Sequence, residues 1–149
     1  MERRYGQLYA RFCWRRGDDG DLLQIQPCIY CGTAASDRDH VPPLLWVYCL
    51  GTEYFTRKGI ELLLVPSCRE CNSELSSKKL FTLRERTLHL LGRYTKKYEK
   101  FLKGEKWEKE EIDEFGRGLK PKIESFAVVQ LAIDRRVQIL EENLRTPRV

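Results

Sequence analysis

Two Cys-x-x-Cys pairs, Cys28-Ile-Tyr-Cys31 and Cys68-Arg-Glu-Cys71, have the spacing of two knuckles that close one tetrahedral zinc site. Between them lies Asp39-His40-Val41-Pro42-Pro43, and Asn72 directly follows the last cysteine. An acid, a base and an amide beside a metal-pinned turn are the parts of a hydrolytic site. Together they point to metal-assisted chemistry on a phosphate. Six cysteines could also be read as three disulfides. The paired spacing, and an N-terminus (Met1-Glu-Arg-Arg-Tyr5) without the apolar core of a signal peptide, favour zinc.

Local elements must hold these residues. Asp39-His40-Val41 reads as a short strand stopped by two prolines. Residues 44–59 are apolar and aromatic, and read as an insertion packed over the metal core. Ile60 to Val65 reads as a second strand. Pro66-Ser67 then starts a helix, with Ser67 as N-cap and Glu70 completing a capping box. On that helix Cys68 and Cys71 share a face, and Asn72 lies one residue further round. Upstream, Tyr5, Leu8, Tyr9 and Phe12 fall at helical spacing near an arginine cluster (Arg3, Arg4, Arg11, Arg15, Arg16).

From Leu80 the pattern is helical. Leu83, Leu90, Tyr94, Tyr98 and Phe101 keep a period near 3.6. Arg86, Arg93, Lys97 and Lys100 form a basic stripe beside them. Gly104 breaks the pattern, and a second apolar stripe runs from Ile112 to Leu144, interrupted by Gln130. Pro121 must kink or divide that helix. The fold class expected is α+β. Residues 1–79 form a small zinc-bound strand-strand-helix core with an N-terminal extension and the insertion, and residues 80–149 form a helical region.

The order Cys-x-x-Cys, Asp-His-x-x-Pro, then Leu-Val-Pro-x-Cys-x-x-Cys-Asn resembles the HNH endonuclease family in its four-cysteine, ββα-metal form, the group that includes phage recombination endonuclease VII. The resemblance covers about residues 26 to 78. It implies a structural zinc on Cys28, Cys31, Cys68 and Cys71. It also implies a catalytic Mg²⁺ or Mn²⁺ held by Asp39 and Asn72, with His40 as general base; a carboxylate and an amide oxygen suit such a hard ion. Adjacent strand residues point to opposite faces. The family places the pair at the strand's end, where Pro42-Pro43 could bend the chain. The sequence departs from the family at Leu63, where an Asn usually tethers the loop carrying the base. Glu61 is the polar residue nearby.

The formal net charge is +5, but nine basic residues between Lys78 and Lys103 face only Glu85 and Glu99, a local balance of +7. Polyanions are the natural partner of such a segment. Arg57, Lys58, Lys78, Lys79, Arg86, Arg93, Lys97 and Lys100 are the residues expected to grip a DNA backbone. No apolar run reaches the roughly 20 residues of a membrane span, and a cytoplasmic location is expected. The long apolar stripe suits packing within a monomer or a homodimer. Two rivals stand beside a general DNA endonuclease: a dimeric resolvase of branched DNA, and a non-catalytic zinc module that binds nucleic acid or a partner. Leu63 favours the last. Cys13 and Cys49, without partners at ligand spacing, read as small buried apolar residues.

Overall fold

The computed structural model describes residues 9–11 and 26–146. The chain is α+β. Strands β1 (Ala10–Arg11), β2 (Asp37–Val41) and β3 (Leu63–Ser67) form one sheet in the order β1-β3-β2. β2 runs antiparallel to β3, and β1 runs parallel to it. Helices α1 (Leu44–Leu50) and α2 (Thr52–Arg57) lie between β2 and β3 in the chain, and α3 (Arg69–Leu75) follows β3. Four helices complete it: α4 (Leu83–Lys97), α5 (Glu99–Leu102), α6 (Lys109–Asp113) and α7 (Lys120–Arg145).

The register of β2 on β3 sets the two faces of the sheet. Asp39 pairs with Val65, His40 with Leu64 and Val41 with Leu63. Directly opposed residues share a face, and faces alternate along a strand. Val41, Leu63 and Val65 join a core with the four paired cysteines, Leu75, Leu83, Leu90, Tyr94 and Leu140. Leu64 joins a second core with Tyr9, Val47, Phe55 and Phe81. The first core crosses residue 80, so the helical region and the cysteine-bearing segments share one apolar interior.

Several local expectations are corrected. The insertion is two short helices, α1 and α2, and it packs on the face away from the cysteines. The second strand begins at Leu63, not Ile60, and continues through Pro66-Ser67. Ile29 N donates to Pro66 O at 3.0 Å and Ser36 N to Ser67 O at 3.2 Å, which holds both residues extended. Pro66 pairs with Arg38 but turns its carbonyl to Ile29 N rather than to β2, so the N–H that proline lacks is not one of the bonds to β2. The N-cap of α3 is therefore Cys68, whose Sγ accepts from Cys71 N at 3.4 Å. Glu70 takes no part in a capping box there. Capping boxes occur instead at Thr82 with Glu85 and at Glu108 with Glu111. Ala10 and Arg11 are strand; Tyr5, Leu8 and Phe12 of the expected N-terminal helix lie outside the described residues, as does Cys13. Cys49 is exposed rather than buried.

Pro121 divides the second stripe by standing in the first turn of α7, where its missing N–H has no helical partner to lose. Gln130 Nε2 donates to Phe101 O at 2.8 Å and to Gly104 O at 3.1 Å. Its place in the apolar stripe is thus explained within one chain: it closes carbonyls left open at the break after α5. Gly32, at φ +76°, ends the first knuckle, and a Cβ there would lie 2.3 Å from Ile139 Cδ1 of α7. Glycine at this position satisfies both the left-handed turn and the close approach of the helix. No helix among the described residues is long and apolar enough to cross a membrane.

Leu140 is fully buried against the cysteine-side core, whereas Val128 on the same helix is 68% exposed. Leu140→Ala is expected to cost about 2–5 kcal/mol in chemical denaturation. Val128→Ala is expected to stay within about 0.5 kcal/mol of wild type. Equal effects at the two positions would contradict the packing of α7.

Candidate metal centre and the Asp39-His40 strand

Cys28 and Cys31 sit in a tight turn in which Gly32 N donates to Cys28 O at 2.9 Å and Cys28 N to Thr33 O at 2.6 Å. Cys68 caps α3, and Cys71 lies one turn inside it. The four Sγ atoms lie within 4.8 Å of one another, and all four residues are buried. Cys31 Sγ and Cys68 Sγ are 3.7 Å apart. Sulfurs bound tetrahedrally at zinc–sulfur distances of about 2.3 Å stand roughly 3.8 Å apart. The donor set and its spacing therefore fit a metal ion such as zinc.

The sulfurs also perturb one another. Hydrogen bonding, with Cys28 first, holds Cys31 down at about 6, and Cys68 is held lower still by Cys28, Cys31 and Cys71. Those contacts push Cys28 and Cys71 up. Four thiols this close cannot all ionise alone. A divalent cation removes the conflict and releases the remaining protons.

Further side chains surround the sulfurs. Thr33 Oγ1 lies 3.1 Å from Cys31 Sγ, and Tyr94 Oη of α4 lies 3.1 Å from Cys71 Sγ. Arg136 of α7 donates from Nη2 to Tyr94 Oη at 3.2 Å and stacks over the same ring at 4.7 Å. Its Nη1 donates to Glu70 Oε2 at 2.5 Å. Burial works against the Arg136 charge, but Glu70 and Cys31 outweigh it and raise its pKa. Glu70, between the two cysteines of the second knuckle, also binds Lys97 Nζ at 2.8 Å and Tyr98 Oη. Burial raises the Glu70 pKa, yet these three donors bring it from 4.5 down to about 2. A depressed carboxylate stabilises the fold above its unfolded pKa. The Glu70 contribution therefore fades as pH falls from 4.5 towards 2.

Asp39 departs from its expected role as a metal ligand. It is buried on the cysteine side of the sheet, and both of its oxygens are engaged. Arg86 Nη2 donates to Oδ1 at 2.6 Å and Nε to Oδ2 at 2.9 Å, while Tyr30 Oη donates to Oδ2 at 2.5 Å. Burial raises the Asp39 pKa against the opposing pull of Arg86 and Tyr30. A hard ion that keeps several waters does not fit a buried carboxylate already held by a guanidinium. Arg86, expected to grip DNA, is wholly buried and therefore unavailable to a phosphate.

His40 faces the other side of the sheet, in the layer of α1 and α2. Its ring meets Tyr9 edge-on, with centroids 4.9 Å apart, and Tyr9 Oη donates to Pro42 O at 2.6 Å. Asn72 is half-buried on α3, directly after Cys71. So the four cysteines converge, while Asp39 and His40 are divided between the two faces. Leu63 is buried in the cysteine-side core, and Glu61 is exposed before β3.

The basic residues also divide. Arg93 pairs with Glu74 at 2.9 Å, Lys78 with Glu74 at 3.9 Å and Lys97 with Glu70 at 2.8 Å. Lys58 stands over Tyr54 and Lys79 over Trp46, each 5.4 Å from the ring centroid. Arg57 Nε donates to Glu53 O, and Lys100 is exposed on α5. Sequence reasoning missed Tyr30, Arg86, Tyr94 and Arg136 as parts of the site. Tyr30 stands inside the first Cys-x-x-Cys, which is the one local signal among them. No protein-family model, curated protein or solved structure matches the chain.

The buried pair sets a prediction. Arg86→Met leaves the Asp39 carboxylate buried and uncompensated, and is expected to cost about 3–5 kcal/mol in chemical denaturation. The double variant Asp39→Leu/Arg86→Met should lose much less than the two single losses added together. Additive losses would mean that the two groups do not interact.

Proposed function

We propose that the chain is a zinc-stabilised, HNH-type endonuclease that hydrolyses DNA phosphodiester bonds. One observation carries the reading. β2 pairs antiparallel with β3, β3 leads into α3, and the four cysteines converge beside this strand-strand-helix unit. This arrangement supports the ββα-metal reading of the motif order, with His40 on β2 and Asn72 on α3. Zinc held by four thiolates is structural, because such a site has no open position. Its part is to fix α3 against β2.

In this reading His40 takes the proton from the attacking water, which a neutral imidazole can do near pH 7. Mg²⁺ or Mn²⁺ would supply positive charge to the phosphate when bound. Asp39 does not fit as its ligand while Arg86 and Tyr30 hold both oxygens, so Asn72 is the remaining expected ligand. Lys58, Lys79, Arg57 and Lys100 would hold the DNA backbone, a kind of contact that gives affinity without sequence preference. Such a unit cuts one strand at a time, so nicking precedes linearisation.

The second reading is a non-catalytic zinc-stabilised module that binds nucleic acid. The Asp39-Arg86 clamp favours it, since it turns the expected catalytic carboxylate into a structural one. A supercoiled-plasmid assay with Mg²⁺, Mn²⁺ or EDTA, run beside His40→Ala of equal zinc content, separates the two. Nicked product from wild type alone, lost with EDTA, is the expected result. Zinc-loaded protein that retards DNA on a gel without cutting it would reject the nuclease and establish the binding module.

A further inference from the structure

Two side chains from distant parts of the chain meet the metal centre without belonging to it. Tyr94 lies 23 residues beyond Cys71 in sequence, and its hydroxyl oxygen is 3.1 Å from that cysteine's sulfur. A metal-bound thiolate carries no proton, so the hydroxyl must be the donor. Arg136 supports this polarity by donating to the same oxygen at 3.2 Å. The hydroxyl oxygen thus accepts from Arg136 and its hydrogen points to sulfur. The guanidinium also stacks on the Tyr94 ring and bonds Glu70 between Cys68 and Cys71, which fixes its place relative to the second knuckle. Its Nε is buried without a hydrogen-bond partner among the described residues.

The electrostatics explain why a cation belongs here. Four thiolates around a divalent ion leave a net charge of about −2 in an apolar interior. A buried charge of that size requires compensation by hydrogen bonds and opposite charge. Arg136 is the basic residue that α7 brings to this point, and its neighbour Arg135 is exposed. The same helix binds the first knuckle through Asn143 Nδ2, which donates to Ile29 O at 2.9 Å and Tyr30 O at 3.0 Å.

We propose that Tyr94 and Arg136 are positioning residues of the metal centre: a relay from Arg136 through the Tyr94 hydroxyl to Cys71 Sγ holds that thiolate in its ligand state and couples metal occupancy to the docking of α7. The relay rests on the zinc reading but not on nuclease activity, and it makes the C-terminal helix part of the metal site. Loss of α7 would remove the positive charge that the metal-bound thiolates require, and by reciprocity metal binding favours the docked helix.

The test uses the full chain loaded with zinc, and then with cobalt. Metal content is first measured for wild type, Tyr94→Phe, Arg136→Met and the control Arg135→Met. Release to a coloured chelator is then followed in time. Tyr94→Phe and Arg136→Met are expected to lose zinc about tenfold faster or more, in line with outer-shell changes at other metal sites. Arg135→Met is expected to match wild type. Tyr94→Phe removes a single hydroxyl, so it keeps the test decisive if Arg136→Met fails to fold. In the cobalt forms, loss of a hydrogen bond to sulfur should move the thiolate-to-cobalt charge-transfer band of Tyr94→Phe to longer wavelength. A general loss of packing would not produce that shift. Unchanged release and an unchanged band in Tyr94→Phe would overturn the relay. A wild type that binds neither zinc nor cobalt would overturn the zinc reading itself.

Discussion

Four buried sulfurs that cannot all ionise without a cation are the constraint on which the rest of this structure depends. The cysteines join two segments about forty residues apart in sequence, and each half is useless alone: a knuckle in a loop and the first turn of a seven-residue helix. A bound metal turns its binding free energy into folding free energy, because the unfolded chain offers no preformed site. The sheet is correspondingly small. β2 and β3 have five residues each and β1 has two, and short ribbons of this kind need a helix layer to be stable. That layer is α4 and α7, whose Leu90, Tyr94 and Leu140 share a core with the sulfurs.

The Asp39-Arg86-Tyr30 cluster is the second tie between the sheet and the helical region. Its energetic role differs from that of the metal. A buried ion pair recovers roughly its own desolvation cost, so it adds little net stability when intact and costs much when broken. What it does impose is register: Arg86 reaches both carboxylate oxygens only when α4 lies in one position along β2. Tyr30 completes the cluster from within the first knuckle, so the metal centre and the ion pair constrain each other. The consequence for chemistry is direct. A carboxylate that serves as a structural anchor is not open to a solvated cation unless α4 moves.

The parts that were legible in the sequence are those whose signal is local. The two Cys-x-x-Cys pairs, the strand ahead of Pro42-Pro43, the break at Gly104 and the division at Pro121 each depend on residues within a few positions of one another. What was missed depends on distance. Arg86 follows the helical period of Arg93 and Lys97 and reads as one stripe with them, yet it turns inward because Asp39, 47 residues earlier, waits buried on the sheet. Glu70 has the sequence position of a capping residue, but Lys97, Tyr98 and Arg136 offer it three donors from α4, the turn after it and α7. Periodicity shows which residues share a face. It does not show whether a charged residue at the edge of that face meets water or a buried partner.

The same distinction changes where unpaired positive charge lies. The stripe from Lys78 to Lys103 has a local excess of positive charge in the sequence, but Glu70 and Glu74 of α3 lie against Arg93, Lys97 and Lys78 and neutralise that side. On the opposite face, Lys58 and Lys79 rest on the rings of Tyr54 and Trp46, which pack around the same second core as Tyr9, the ring that meets His40. A lysine on an aromatic face keeps its charge while losing much of its freedom, so less entropy is lost when it meets a phosphate. The sheet thus has two unlike faces. The cysteine side is closed and paired, while the face bearing His40 carries lysines resting on aromatic rings.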